Sequence, residues 1–143
     1  MRISVINGPN LNLLGTRQPE IYGDWSLDRL DKACRDWAAE VGATVDTYQS
    51  NHEGDLIDRL HEARRSAEGV VINPGALTHY SYAIRDAIVA IELPTVEVHL
   101  SNIKEREAWR RGSVVEAVCV ATFAGRGVDG YRDAILHLAA AAE

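Results

Sequence analysis

The sequence predicts a doubly wound α/β fold with one parallel sheet, and two observations support this prediction. Short apolar runs recur along the chain and are separated by stretches with helical periodicity. Four of the runs stop abruptly in blocks rich in Asn, His, Gly and Pro, at residues 7–12, 49–54, 73–79 and 97–102. The segments that leave the carboxyl ends of parallel strands line one crevice, where ligands bind. The four blocks therefore predict a single polar site at one edge of the sheet.

The amino-terminal part of the chain predicts one strand followed by a long loop. Residues 2–7 are short and apolar, as expected of a first strand. Residues 8–24 form a polar connection well beyond the median loop length of about five residues. Because this connection contains Gly15, Pro19 and Gly23, we interpret it as a mobile lid.

The middle of the chain alternates between helical and strand patterns. An apolar stripe at helical spacing predicts a helix over residues 26–41 that ends at Gly42. Residues 43–49 form the second predicted strand, and residues 53–67 the second helix. Residues 69–73 contain an unbroken Val-Val-Ile run, which indicates a central strand buried on both faces.

The carboxyl-terminal part continues the same alternation. The third helix spans residues 81–91, and the fourth strand spans residues 94–99. A short turn or helix is predicted around residues 103–110, the fifth strand over 118–122 and the last helix over 128–142. Five strands alternating with helices favour the flavodoxin-like strand order 2-1-3-4-5.

Length and composition predict a single domain, residues 1–143, with one adequate core. The formal charge of −6 argues against nucleic acid as a partner, because phosphate binding needs a basic face. Thirteen of the 15 basic residues are arginines and two are lysines. This bias suits an anionic carboxylate ligand, which arginine can bind with two parallel hydrogen bonds.

No targeting or membrane signal is apparent. Met1 leads directly into a strand pattern, and no apolar stretch approaches the roughly 18 residues that span a bilayer. We therefore expect a cytoplasmic protein without a membrane partner. Cys34 and Cys119 have no motif around them, and we expect both to be inert buried thiols rather than a disulfide or a reactive site.

The predicted third helix carries more apolar surface than one contact with a sheet requires. Excess apolar surface on a small domain indicates a subunit interface, so we expect a homo-oligomer. Burial by neighbouring loops is the alternative. The apolar positions are Tyr80, Tyr82, Ala83, Ile84, Ala87, Ile88, Val89 and Ile91.

A glycine pattern near the carboxyl terminus suggests a nucleotide site only superficially. Residues 125–130 fit G-x-G-x-x-G, but that fingerprint belongs after the first strand, with an acidic residue about twenty positions later. Only one helix follows Gly130. We therefore predict a plain tight turn at this position.

Glu97 and His99 are two apart on a strand and point to the same face. Together with His52 and His79, His99 leaves a zinc site open as a minor alternative. Proton transfer by His99, tuned by a carboxylate or amide, is the preferred hypothesis. A surface ion pair of Glu97 with an arginine is the plain alternative.

Five strings together resemble the type II 3-dehydroquinate dehydratase family, in the order and spacing of that family. They are NGPNLNLLG at 7–15, QSNHEG at 49–54, NPGA at 73–76, TH at 78–79 and EVHLSN at 97–102. The resemblance implies anti elimination of water from 3-dehydroquinate to give 3-dehydroshikimate, through an enolate and without cofactor or metal. It further implies a role in the shikimate pathway and a homododecamer built from trimers.

The resemblance also implies roles for single residues. Tyr22 matches the base, His99 the general acid and Arg17 the lid arginine that supports the transition state. Arg106 and Glu97 match supporting charges. Other matched residues hold the carboxylate and hydroxyls of the substrate, and these are Asn73, His79, Leu100, Ser101 and Arg110. Asp86 matches a position that reaches the site of a neighbouring subunit.

Physical chemistry is consistent with these roles. A tyrosine base must be ionised, which costs roughly 4 kcal/mol at neutral pH from a reference pKa of about 10. The guanidiniums of Arg17 and Arg106 favour tyrosinate, whereas burial alone would oppose it. The enolate oxygen needs aligned donors, for which Asn10, or a water that it holds, is the candidate.

Several positions beside the matched strings depart from side chains common in the family. Because they flank matched positions, we expect effects on substrate affinity and subunit packing rather than on reaction type. They are Leu77, Tyr80, Tyr82, Trp109 and Gly112.

The sequence argues against two other functions. A Schiff-base dehydratase needs a buried strand lysine, but Lys32 lies in a helical pattern and Lys104 in a turn. A flavodoxin-like binding or signalling module would need a phospho-accepting aspartate where Asn73 stands, or a hydroxyl-rich loop in place of residues 7–9.

Overall fold

A computed structural model of the chain describes residues 1–16, 20, 23–105 and 107–143. Within these ranges the strands form one parallel sheet in the order β2-β1-β3-β4-β5. The strands are β1 Arg2–Asn7, β2 Thr44–Gln49, β3 Gly69–Asn73, β4 Thr95–His99 and β5 Ala121–Ala124. The α-helices are α1 Leu27–Glu40, α2 Glu53–Ser66, α3 Tyr82–Ile91 and α4 Asp129–Ala141. The predicted α/β class and the flavodoxin-like strand order are confirmed.

Helices cover both faces of the sheet because side chains alternate along each strand. Val5 packs in one core cluster with Leu30 of α1 and Ile135 of α4. Ile6 packs in a second cluster with Leu56 of α2 and Ile84 of α3. Every residue of β3 and β4 is buried, as expected for central strands between two helical layers.

Helix ends follow the local chemistry of the sequence. The Ser26 hydroxyl accepts a hydrogen bond from the Arg29 backbone N–H at 3.1 Å and caps α1. Gly42 adopts a φ of 73° just after that helix, in the left-handed region that favours glycine. The Ser81 hydroxyl caps α3 by accepting from the Ile84 N–H at 3.0 Å.

The fifth strand begins later than the sequence predicts. The prediction was residues 118–122, whereas β5 spans Ala121–Ala124 and a 3₁₀ helix occupies Glu116–Val118. The Cys119 N–H donates to the Glu116 carbonyl at 3.1 Å, so this segment satisfies its hydrogen bonds locally. Bonding to the sheet starts at Val120, whose N–H donates to the Thr95 carbonyl at 2.9 Å.

The polar strand ends meet at one edge of the sheet, as predicted. Asn7 is paired in register with Gln49 on one side and with Asn73 on the other. The Gly8 N–H donates to the Asn73 carbonyl at 2.8 Å, and a Cβ at Gly8 would lie 2.7 Å from the Pro74 oxygen. The segments after β1 and β3 are therefore in direct backbone contact.

The described parts of the remaining connections add three findings. The predicted turn at 103–110 contains 3₁₀ helices at Ile103–Glu105 and Ala108–Arg110. In the glycine-rich segment 125–130, residues 125–128 form a turn between β5 and α4, with positive φ at Gly125 and Gly127, and the last two residues begin α4. A Cβ at Gly15 would lie 2.5 Å from the Trp25 oxygen, so the backbone at Gly15 within the predicted lid lies close to the backbone just after it. Residues 17–19, 21 and 22 of that segment lie outside the described residues.

We find no helix among the described residues with the length and apolar character needed to cross a membrane.

Candidate active site

A pocket of about 150 Å³ opens at the carboxyl ends of the strands. The segments after β1, β3 and β4 form its walls, which is where the sequence predicted a polar site. Seven of the predicted site residues line it, namely Asn10, Asn73, His79, His99, Leu100, Ser101 and Arg110.

Glu97 lies behind this pocket on β4 and is fully buried. Its Oε2 accepts a short hydrogen bond from the Thr78 hydroxyl, and the Ser113 hydroxyl donates to the same carboxylate at 2.9–3.0 Å. Burial raises the pKa of Glu97, but the hydrogen bond and charge of His99 and the two hydroxyl donors oppose it. The net effect is a pKa below the ordinary value of a glutamate. Glu97 is therefore held as a buried carboxylate anion.

His99 connects this carboxylate to the pocket. Its Nε2 lies 2.5 Å from Glu97 Oε2. Because an ionised carboxylate can only accept, the proton of this hydrogen bond belongs to Nε2. Nδ1 is then the ring nitrogen that can exchange a proton with a ligand. The pair has the geometry of an acid–base dyad oriented by its carboxylate.

Asn73 is fixed by a second buried network. Its Nδ2 donates to the Tyr131 hydroxyl at 2.9 Å, and that hydroxyl donates to Asn7 Oδ1 at 2.5 Å. The Gly75 N–H donates to Asn73 Oδ1 at 3.1 Å. Burial raises the pKa of Tyr131 far above its ordinary value, so the hydroxyl stays neutral. The orientation of the Asn73 amide is thereby set before any ligand binds.

Two aromatic contacts arrange the outer wall of the pocket. His79 Nδ1 donates to the Gly112 carbonyl at 2.7 Å, which leaves Nε2 available for a ligand. The Trp109 ring meets the His79 ring edge-on, with 5.7 Å between centroids. The Arg110 guanidinium lies 4.5 Å from the centroid of Trp109. Trp109 and Gly112, two of the unusual positions, thus contact predicted site residues.

The loop after β1 is tied to the loop after β2. The Asn10 N–H donates to Asn51 Oδ1 at 2.9 Å, and Gln49 Nε2 donates to the Gly8 carbonyl at 3.2 Å and to Asn51 Oδ1 at 3.1 Å. Asn10 has a φ of 73°, a conformation that asparagine tolerates better than most residues. These contacts bring Asn10 to the pocket wall.

One further predicted site residue is described, and it lies elsewhere. Asp86 lies on α3, in a shallow depression with Tyr82 and Val89, away from the pocket of its own chain. The expectation that it reaches the site of a neighbouring subunit stays a prediction. Arg17, Tyr22 and Arg106 lie outside the described residues, so their roles also stay predictions.

The described residues provide neither a metal site nor a reactive thiol. No cluster of three or more His, Cys, Asp or Glu side chains in these ranges could hold a metal ion, so His52, His79 and His99 do not form such a set. Cys34 and Cys119 are free thiols. Burial raises the pKa of each to about 12, which makes them poor nucleophiles. Cys34 is buried as predicted, whereas Cys119 is only half-buried.

Sequence reasoning missed three residues that organise the site. Thr78 belongs to a string that carried the resemblance, but no role was assigned to it. Ser113 and Tyr131 lie in segments without any local motif. The contact of Ser113 with Glu97 and that of Tyr131 with Asn73 join residues far apart in the chain. Their sequence separations are 16 and 58 residues.

Fold and site together define a doubly wound α/β enzyme domain with a buried carboxylate–imidazole dyad facing a polar pocket. The family model "Dehydroquinase class II" matches residues 1–139. The chain therefore belongs to the class II dehydroquinase family and is an enzyme of the hydro-lyase type, which confirms the resemblance.

Relatives of known name and a solved structure agree with this assignment. The chain is 51% identical over 138 residues to a 3-dehydroquinate dehydratase of Thermotoga maritima, covering 96% of this chain and 94% of the relative. It is 50% identical over 137 residues to a catabolic 3-dehydroquinase of Aspergillus oryzae, covering 96% and 90%. A type II dehydroquinase structure from Butyrivibrio crossotus superposes with a TM-score of 0.93 at 48% identity, covering 96% of this chain and 97% of that one.

Proposed function

We propose that this chain converts 3-dehydroquinate to 3-dehydroshikimate by anti elimination of water through an enolate, as a step of the shikimate pathway. The supporting observation is the His99–Glu97 dyad, with its Nε2–Oε2 distance of 2.5 Å, at the edge of a pocket with amide, imidazole and guanidinium groups. Such a pocket suits a small substrate that carries a carboxylate, a ketone and several hydroxyls.

In the proposed mechanism a base removes the proton α to the ketone and His99 assists departure of the hydroxyl group. Tyr22 is the proposed base, and its phenolate takes the proton while the electron pair moves onto the ketone oxygen. The enolate then collapses, the carbon–oxygen bond breaks, and His99 gives a proton to the leaving hydroxyl to form water. Glu97 stabilises the imidazolium form of His99 that this last step requires.

The phenolate of Tyr22 requires electrostatic support, which we assign to Arg17 and Arg106. Forming it at neutral pH costs roughly 4 kcal/mol relative to free tyrosine. Two guanidinium groups within a few ångströms can offset a cost of this size in a site from which water is excluded. Asn10, directly or through a water, is the proposed donor to the enolate oxygen.

Five residues around the pocket are the proposed substrate ligands. The Arg110 guanidinium is about one-third exposed and carries a fixed positive charge suited to the substrate carboxylate. Asn73 and His79 offer pre-oriented groups for hydroxyls, and Leu100 and Ser101 contribute from the end of β4. Asp86 is proposed to act at the pocket of a neighbouring copy in a homo-oligomer, for which the resemblance implies a dodecamer.

A direct assay tests this function. Purified protein is mixed with 3-dehydroquinate, and formation of the conjugated enone is followed by ultraviolet absorbance with and without a chelator. We expect the absorbance to rise equally in both samples, because the proposed chemistry uses side chains alone. No absorbance change with authentic substrate would refute the proposal, and loss of activity with chelator would refute its metal-free form.

The change Tyr22→Phe tests the proposed base. We expect substrate affinity to stay nearly the same and turnover to be lost, because the phenol oxygen is needed for proton abstraction and not for binding. The measurements are kcat from the enone assay and Kd from calorimetry. Turnover within about tenfold of the parent would contradict the assignment.

A further inference from the structure

Two hydroxyl groups converge on the buried carboxylate of Glu97 from different segments of the chain. Thr78 lies in the 3₁₀ helix Gly75–His79 after β3, and its side chain is fully buried. Ser113 lies in the segment that follows the 3₁₀ helix Ala108–Arg110. The Thr78 and Ser113 oxygens are also only 2.9 Å apart, so the two hydroxyls lie side by side at the Glu97 carboxylate.

The hydrogen bonds of Ser113 determine where its proton points. Its Oγ accepts from the backbone N–H groups of Val115 at 3.2 Å and of Glu116 at 3.1 Å. With its acceptor sites occupied, the Ser113 hydroxyl acts as a donor, and the Glu97 carboxylate, 2.9 Å away and able only to accept, takes its proton in preference to the Thr78 hydroxyl. The Thr78 hydroxyl donates to Glu97 Oε2, the same oxygen that accepts from His99.

These contacts also connect the two loops that form the pocket walls. The Val114 N–H donates to the Thr78 carbonyl at 2.7 Å. Thr78 directly precedes His79, and the Gly112 carbonyl, just before Ser113, accepts from the His79 ring at 2.7 Å. These bonds use backbone carbonyls, so a change at either hydroxyl leaves them in place and acts on the dyad alone.

We propose that Thr78 and Ser113 are positioning residues of the acid–base dyad: their hydroxyls hold Glu97 as an anion, so that it orients His99 and keeps a proton on Nε2. Their effect on turnover rests on the proposed function, whereas their effect on Glu97 does not. Neither residue is expected to touch the substrate, because both act through Glu97.

Electrostatics at Glu97 determine what the loss of a hydroxyl does. A buried carboxylate without enough donors takes up a proton, because burial disfavours its charge. Over the described residues, the titratable groups that face Glu97 are His99 on the same strand and Cys119. Burial raises the pKa of Cys119 to about 12, so its thiol is neutral and places no charge beside Glu97. The pKa of Glu97 therefore reports on the two hydroxyls.

Four variants of the full chain test the proposal. Thr78→Val removes one hydroxyl at nearly constant shape, and Thr78→Ser restores it. Ser113→Ala removes the second hydroxyl and provides an independent test if Thr78→Val does not fold. Thr95→Val is the matched control. It deletes a buried hydroxyl on β4, the strand of Glu97, and that hydroxyl donates to the Leu93 carbonyl at 3.1 Å and not to Glu97.

The first readout is a carbon-13 NMR titration of the Glu97 carboxyl group, which does not depend on substrate. We expect Thr78→Val and Ser113→Ala each to raise the Glu97 pKa by about one unit. Thr78→Ser and Thr95→Val should leave it at the parent value. An unchanged Glu97 pKa in both hydroxyl deletions would overturn the proposal, and so would an equal shift in the control.

The second readout is the pH dependence of kcat. We expect the acid limb to move to higher pH in Thr78→Val and to return in Thr78→Ser, with KM changing less than kcat. A uniform fall in kcat with an unmoved acid limb would indicate a merely structural role and overturn the proposal. If the parent protein does not convert 3-dehydroquinate, the proposed function fails, while the NMR titration still tests the hydroxyls.

Discussion

At the scale of single residues, the site depends on side chains whose states are set by burial and by partners. Glu97 is fully buried yet ionised, because Thr78, Ser113 and His99 all hydrogen bond to it. Asn73 is oriented by Tyr131, which burial keeps neutral. A group that touches the ligand is therefore only as well placed as the buried group behind it.

The lowered pKa of Glu97 predicts how the stability of the folded chain depends on pH. A carboxyl whose pKa is lower in the folded than in the unfolded chain adds stability above its ordinary pKa of about 4.5. That contribution disappears as pH falls through the folded-state pKa. Glu97→Gln removes the titrating group, so we expect the variant to be less stable at neutral pH by about 1–3 kcal/mol, with the gap narrowing in acid.

Urea unfolding of parent and variant at neutral pH and at about pH 3–4 measures this gap. Glu92→Gln, a change at an exposed carboxylate, is the control and should show little difference at either pH. A gap between the parent and Glu97→Gln that is equal at both pH values would contradict the ionised state of Glu97.

Tyr131 gives a second prediction at this scale. Tyr131→Phe deletes the hydroxyl that joins Asn7 and Asn73, and leaves Asn7 Oδ1 and Asn73 Nδ2 without that partner. We expect a loss of about 1–3 kcal/mol in the free energy of unfolding, together with a higher KM, because Asn73 loses its orientation. Urea unfolding and the enone assay measure the two effects.

Tyr82→Phe is the matched control for Tyr131→Phe, because Tyr82 is 68% exposed and loses only solvent contacts in one chain. Equal stability and equal KM in the parent and in Tyr131→Phe would show that Asn73 does not need this hydroxyl.

At the scale of elements, the pocket depends on close contact between the segments after β1 and β3. Gly8 makes this contact possible, since a Cβ there would lie 2.7 Å from the Pro74 oxygen and 3.2 Å from the Asn73 oxygen. Both neighbours are backbone atoms and cannot rotate away. The glycine is therefore required by the approach of the two segments, and both segments bear residues that line the pocket.

Gly8→Ala should accordingly destabilise the protein and damage the site. We expect a loss of about 1–3 kcal/mol in the free energy of unfolding, because the added methyl group forces the two segments apart. Gly54→Ala is the matched control. Its Cβ would meet nothing within 4 Å, and alanine favours helix α2, so this change should be neutral or stabilising by up to about 1 kcal/mol.

Urea unfolding of both glycine variants tests this pair. If Gly8→Ala and Gly54→Ala both lowered the free energy of unfolding, crowding at Gly8 would not be the cause, because only one of the two positions is crowded.

At the scale of the whole molecule, the outer face of α3 exposes apolar side chains. Tyr82 is 68% exposed and Val89 is 55% exposed, and both lie beside Asp86. Tyr80, just before this helix, is 60% exposed. Within the part of the chain that the structure describes, no loop covers these three side chains, so the explanation by loop burial fails for them there. An interface with further copies of the chain, as predicted from the sequence, is the other explanation for this exposed apolar surface.

Assembly can be tested at this face. We expect the parent to sediment as a species larger than one chain, and Val89→Asp to dissociate it, because a charge there would be buried without a partner. Val41→Asp is the control, since Val41 is 41% exposed at the end of α1, away from α3. Sedimentation of the parent as a monomer, or equal dissociation by both changes, would contradict the interface.

Local sequence patterns determined the architecture of this protein. Apolar runs alternating with helical stripes are sufficient to predict parallel strands. The polar blocks after four of the strands predicted the edge where Asn73 and His99 meet. These predictions succeed because periodicity and turn chemistry act over a few residues. The start of β5 was placed three residues too early, since a 3₁₀ turn at Glu116–Val118 competed with the sheet for the same backbone groups.

Only the tertiary structure determined which buried residues hydrogen bond to the side chains of the site. Ser113 reaches Glu97 across 16 positions, and Tyr131 reaches Asn7 across 124. No periodicity relates such distant residues, because their contact arises from the packing of whole elements against the sheet. The charge on Glu97 is likewise a property of the folded chain, since burial and hydrogen bonding exist only once the core has formed.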